Sequence, residues 1–196
     1  MRRMERVRLS ANTTVAQYRQ MEAEKDREGI ASFLRERFTE RYFAPLESMR
    51  APHGFLTMAV SCLLIESIQA FRNGWQGVTE QRKKPYREFF RAHPSFGVTA
   101  AQADELYDNI RSGILHLGET YGGWRIHRRG PMLDFEVRTA NANLFLAEVH
   151  RCFDEYCQKL ERSPWTSNLW GKFRNRMNDL IRNCRVPDRD LKKQER

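Results

Sequence analysis

The sequence predicts an all-α protein, a helical bundle with one small β-hairpin inserted after its most distinctive helix. Three observations carry this. Apolar residues recur at three- and four-residue steps in most segments, the period of a helix with one buried face. The run from Phe55 to Asn73 is apolar almost all round, the mark of a helix buried on several sides. The stretch from Trp124 to Val137 alternates instead, about Gly130-Pro131, and reads as a two-stranded hairpin.

Taken in order, residues 1–28 are mostly polar with few apolar anchors. They are expected as a charged, loosely attached N-terminal arm, in which Thr13 or Thr14 caps a short helix running to Lys25. Residues 29–162 are expected to form the helical domain. Phe33, Leu34, Phe38, Tyr42 and Leu46 make its first stripe, which Pro45 ends or bends. Pro52-His53-Gly54 turns the chain into the apolar helix, and Asn73-Gly74 stops it. The next segment is polar and basic, and its Tyr86, Phe89 and Phe90 predict one short helix packed on the core. A helix spans Thr99-Ala100 to Gly118, and the hairpin comes next at about 124–137. Asn141 or Asn143 caps a helix carrying Leu146, Val149, Phe153, Tyr156 and Leu160, which Ser163-Pro164 breaks. Residues 163–196 are expected as a separate basic helix and tail, started by Thr166 or Ser167, with Leu169, Phe173, Met177, Leu180, Ile181 and Cys184 as its stripe.

The 196 residues suffice for one domain plus an appendage. With 34 Lys+Arg against 25 Asp+Glu, the net charge of +9 favours a polyanionic partner, most simply nucleic acid. No run reaches ~18 apolar residues, and no apolar stretch follows Met1-Arg2-Arg3-Met4. The expectation is therefore a cytoplasmic protein with no membrane partner. Cys62, Cys152, Cys157 and Cys184 match no zinc spacing and are expected as reduced, buried thiols, with no metal and no cofactor. His53, His93 and His150 read as surface residues.

The helix ending at Gly118 holds the most informative residues. Ala103, Leu106, Ile110, Ile114 and Leu117 define its buried stripe. At about 100° per residue, Arg111 and His116 fall on opposite shoulders of that stripe. Asp108, Ser112, Leu115 and Glu119 lie between them on the outer face. An apolar Leu115 there suits a helix that offers its second face to a partner. The carboxylate of Glu66, in the apolar helix, needs a cation if it is buried. Arg111 is the expected partner. Arg125, Arg128 and Arg129, with Trp124 and His127, give the hairpin a guanidinium-and-aromatic character suited to phosphate contact and base stacking. A solvated hairpin gives the same pattern.

Arg111 and His116, separated by four residues late in an all-helical domain, resemble the R-x4-H signature of HEPN-type ribonucleases. The resemblance covers about residues 30–120, and extends to about 160 if the next helix belongs to the bundle. Many family members carry Asn, Asp or His directly after the arginine, where this chain has Ser112. The Ser112 hydroxyl, four residues before His116, can still reach the imidazole side. The resemblance implies a metal-independent endoribonuclease whose site is shared across a homodimer formed through the motif helix. Arg111 and His116 would be catalytic, with Glu66, Ser112 and Asp108 in support. Arg125, His127, Arg128 and Arg129 are the expected RNA contacts. The family's common settings are toxins or defence components, neutralised by an antitoxin or regulatory protein. A non-catalytic HEPN-like module that binds nucleic acid or protein is the alternative.

Overall fold

Side-chain caps start the helices where the sequence offers them. The computed structural model describes residues 2–49, 53–76 and 82–184. These form a mainly helical protein with a small three-stranded sheet. After a single turn, α1 (Arg2–Glu5), Thr14 caps α2 (Val15–Glu24) through a reciprocal bond with Gln17. Asp26 caps α3 (Arg27–Phe38). Asn141 and Ser167 cap the two longest late helices, α9 (Ala142–Arg162) and α10 (Asn168–Asn183). Pro45 does not end its helix. A π-turn over Thr39–Phe43 precedes it and passes into α4 (Ala44–Glu47). The wider turn shifts the backbone register just where proline's missing N–H would break an α pattern.

The apolar run forms α5 (Gly54–Asn73), closed by Gly74 in the left-handed conformation. A side chain at Gly74 would strike the Lys172 carbonyl of α10 at 2.9 Å, so both conformation and packing call for glycine. By length and composition α5 is the one described helix able to cross a membrane, but it serves as the core helix. It packs against α9, α10, α6 (Lys84–Ala92) and the small sheet. Its burial is one-sided near the start, where Phe55, Leu56 and Leu63 remain exposed. Aromatic pairs fill the layers around it: Phe38 stacks on Phe153 with ring centres 4.4 Å apart, and Phe71 lies 5.5 Å from Phe173.

Three expectations are corrected. The N-terminal arm is not loosely attached, because Leu9, Val15 and Tyr18 are buried in the main core. The guanidiniums of Arg37 and Arg41 donate to the Leu9 carbonyl, and Glu36 and Glu40 accept from the backbone of Asn12 and Ala11. Three apolar anchors hold the arm because charged side chains of α3 and the following turn satisfy its backbone. The C-terminal helix is not a separate unit either: Trp170, Phe173, Met177 and Ile181 of α10 join the same core. The tail from Arg185, and Pro52 of the expected turn, lie outside the described residues.

The third correction concerns the hairpin. The strands are β1 (Arg125–His127), β2 (Leu133–Asp134) and β3 (Thr139–Asn141), in spatial order β1-β3-β2. β3 runs parallel to β1 and antiparallel to β2, with Ile126 and Leu133 both opposite Ala140. The antiparallel reversal comes after Asp134 rather than at Gly130-Pro131. Asp134 Oδ1 accepts from the backbone N–H groups of Glu136 and Val137, an Asx-type turn. Trp124 is buried and packs edge-on to Phe135, whereas Val137 at the other end of the stretch is half exposed.

Candidate active site

Thr99 caps the motif helix through a reciprocal bond with Gln102. The helix then runs in three parts: α7 (Ala100–Leu106), a π-turn over Tyr107–Arg111, and α8 (Ser112–Leu117), closed by Gly118. Ala103, Leu106 and Ile110 are buried as the stripe predicts. The π-turn holds an extra residue and rotates the residues beyond it by about one position, or 100°. Leu117, expected inside, is consequently 62% exposed, and Gly113 faces inward instead.

Arg111 sits at the end of the π-turn and reaches α5. Its Nε donates to Glu66 Oε1 at 2.7 Å, and its Nη2 donates to Glu66 Oε2 at 3.1 Å. This two-pronged pair is mostly buried, with side-chain exposures of 16% for Arg111 and 12% for Glu66. Burial works against the Arg111 charge, but the hydrogen bonds and charge of Glu66 outweigh it and raise its pKa. The guanidinium also lies over the Tyr107 ring, 5.2 Å from its centre. Tyr107 in turn meets Tyr86 of α6 edge-on.

Arg111 and His116, expected on opposite shoulders of the stripe, meet at their tips: the arginine is long enough for its Nη1 to lie 3.0 Å from His116 Nε2. Guanidinium nitrogens only donate, so His116 Nε2 accepts and the ring proton of the neutral imidazole sits on Nδ1. Glu66, Arg111 and His116 thus form one hydrogen-bonded chain running from the core to the surface. Three of the five guanidinium N–H groups are used, leaving two for a ligand. His116 itself is exposed.

The supporting residues divide. Asp108 pairs with Lys83 just before α6, not with Arg111. No hydrogen bond joins Ser112 to His116 among the described residues. Gly113 is a site residue the sequence reading missed. A Cβ there would lie 2.3 Å from the Glu119 carbonyl, because the chain folds back over α8 after Gly118. The return is pinned by Tyr121 N–H donating to the Asn109 carbonyl at 2.8 Å. Gly113 lies between two motif residues on an otherwise regular stripe, and a glycine in that position is the signal that could have found it. Tyr107 and Lys83 carried no comparable signal.

Leu115 is 39% exposed on the outer face, beside exposed Leu117, and Leu63 of α5 is 37% exposed. On β1 and in the loop that follows it, Arg125, His127, Arg128 and Arg129 are all exposed. His127, Arg128, Arg129 and Asn143 line a shallow cleft of about 430 Å³.

No cysteine serves the site. Cys62, Cys152 and Cys157 are buried free thiols, each pushed up to about 12 by burial, and such thiols are poor nucleophiles. Cys184 is free and partly buried. His93 is not a surface residue but is 6% exposed. It gathers with Cys152 and Glu155, their ligand atoms within 4.8 Å of one another. Arg72 already donates to His93 Nε2 at 2.9 Å and Arg151 pairs with Glu155, so a cation there would face two guanidiniums. His150 stacks on Phe43 at 3.7 Å. Comparison of the chain with protein-family models, curated proteins and solved structures returns no match.

Proposed function

We propose that this chain is a metal-independent endoribonuclease of the HEPN type, with its Arg111–His116 site completed by a second copy of the chain. The observation that carries the proposal is the Glu66–Arg111–His116 chain of hydrogen bonds, ending on an exposed histidine beside exposed Leu115. Cutting RNA by transesterification forms a bond from the 2′-oxygen to phosphorus and breaks the bond to the 5′-oxygen. One group takes the 2′-OH proton and another protonates the leaving 5′-oxygen, and imidazole does either near neutral pH. The two guanidinium N–H groups left on Arg111 match the non-bridging oxygens as negative charge builds on them. Glu66 holds the guanidinium in place for this. One protomer supplies a single motif histidine. Pairing α8 with its copy through Leu115 brings in the second. The basic sheet, with Arg125, His127, Arg128 and Arg129, holds the RNA backbone.

The test is RNA cleavage in the presence of EDTA. His116→Ala should reduce it by at least ~10²-fold, and 2′-deoxy substitution at the cut position should abolish it. Cleavage that depends on added metal, or that survives in the 2′-deoxy substrate, overturns the assignment. The second reading, a non-catalytic binding module, draws on the fact that Glu66 already neutralises Arg111. It requires RNA to shift on a gel without being cut. Toxin or defence use, with a neutralising partner protein, requires growth arrest on expression that His116→Ala relieves.

A further inference from the structure

A cleft elsewhere in the described residues shares no lining with Arg111 or His116. It holds about 540 Å³ between the C-terminal turns of α5, the end of α6, and facing parts of α9 and α10. That volume falls within the roughly 300–1,000 Å³ of sites that take a small organic molecule. Its walls are built from cations without counter-ions. Arg72, Arg91, Lys159 and Lys172 line it, and none makes an ion pair among the described residues. Of its two carboxylates, Glu155 pairs with Arg151, while Glu88 accepts from the neutral Asn73 amide at 2.9 Å and keeps its charge, so the four cations outnumber the one uncompensated carboxylate.

Two buried donors in the same walls lack partners. Gln69 is 2% exposed and Tyr156 is 3% exposed, and neither Gln69 Nε2 nor the Tyr156 hydroxyl makes a hydrogen bond. Buried polar groups are paired in the great majority of cases, because an orphan keeps its full desolvation cost. Arg72 is held in place by donating one N–H to His93, which leaves four donors. Burial and the Arg72 charge push the His93 imidazole down to about 4, so near neutral pH it accepts that bond without adding charge.

We propose that this cleft binds a small organic phosphate monoester. Unpaired guanidinium and ammonium groups would neutralise the phosphoryl dianion. The orphaned Gln69 and Tyr156 donors, shielded from water in the cleft walls, would turn toward it to meet the remaining oxygens. The volume exceeds what a bare phosphate fills and leaves room for an organic moiety. The proposal does not rest on the ribonuclease reading, since it shares no residue with the Glu66–Arg111–His116 chain.

Titration calorimetry on the full chain tests it, with adenosine 5′-monophosphate, ribose 5-phosphate, inorganic phosphate and adenosine as probes. The two phosphate esters should bind once per chain with Kd below about 1 mM, and adenosine should not bind. Inorganic phosphate should bind more weakly than either ester. Tyr156→Phe removes a hydroxyl that bonds to nothing, so thermal stability should hold while Kd for the monophosphate rises about tenfold. Lys159→Gln, on the surface, should also weaken binding, whereas His116→Ala should leave it unchanged. The proposal is overturned if adenosine binds as well as its monophosphate, or if both cleft variants bind normally. It is equally overturned if RNA lacking a terminal phosphate displaces the probe.

Discussion

Replacing Glu66 by leucine removes the carboxylate that holds Arg111 and keeps a similar side-chain volume. Breaking one partner of a fully buried pair costs about 3–5 kcal/mol. Here the guanidinium is 16% exposed and retains its bond to His116, so water and imidazole recover part of the loss. The expected destabilisation is about 2–3 kcal/mol. For a chain of this length that lowers Tm by roughly 4–12 °C. Urea denaturation should show a lower midpoint with an unchanged slope. The pairing itself is isolated by a double-mutant cycle with Arg111→Met. The double variant should be more stable than Glu66→Leu alone, because it no longer buries an unpaired cation. Strictly additive effects, or a Glu66→Leu cost below about 0.5 kcal/mol, would refute the reasoning. In the same variant RNA cleavage should fall with binding preserved, because the guanidinium is no longer fixed for the transition state.

Leu115→Glu places like charges at the proposed two-fold contact and should convert a dimer to monomers by light scattering, with loss of cleavage. A wild type that is monomeric at micromolar concentration refutes the shared site. Gly113→Ala drives a methyl into the Glu119 carbonyl, and should cost about 1–3 kcal/mol and expose the Asn109–Tyr121 bond to hydrogen exchange. Buried, neutral His93 binds its proton less readily folded than unfolded, so stability rises with pH through its titration range. The native fold should lose up to about 3 kcal/mol as pH falls from 7 to 4, and His93→Gln should flatten that slope above about pH 4.5.

Most helices were legible from a stripe together with a cap or a stop, although α5 and α6 have no side-chain cap. Thr14, Thr99, Asn141 and Ser167 announce starts that the backbone takes up. The sheet was not, because its strands are two or three residues long and its decisive turn depends on one aspartate side chain. Both π-turns were equally hidden. Nothing in Thr39–Phe43 or Tyr107–Arg111 breaks helical periodicity, and the extra residue becomes visible only in which side chains are buried downstream. Exposed Leu117 is such a consequence. The anchored arm was missed for another reason: its backbone partners, Arg37, Arg41, Glu36 and Glu40, lie more than twenty residues away in sequence.

The site was legible in part because buried charge limits the choices. A carboxylate inside the core helix must find a cation, and Arg111 on the neighbouring helix meets it with both prongs. That pairing has a consequence for charge. Glu66 and Arg111 together are near neutral, so in the proposed reaction one protomer would present a phosphate with fixed donors but little net positive field. Acid and base work also need two proton-transfer groups at one phosphorus, and one protomer offers a single motif histidine. Both shortages have the same remedy on this surface. In the proposed dimer a second α8 docked at Leu115 would supply another imidazole and another guanidinium, and Arg125, Arg128 and Arg129 would supply the field. The proposed chemistry therefore requires the dimer. A monomeric form of this chain should still bind RNA through its basic surface, yet leave it uncut.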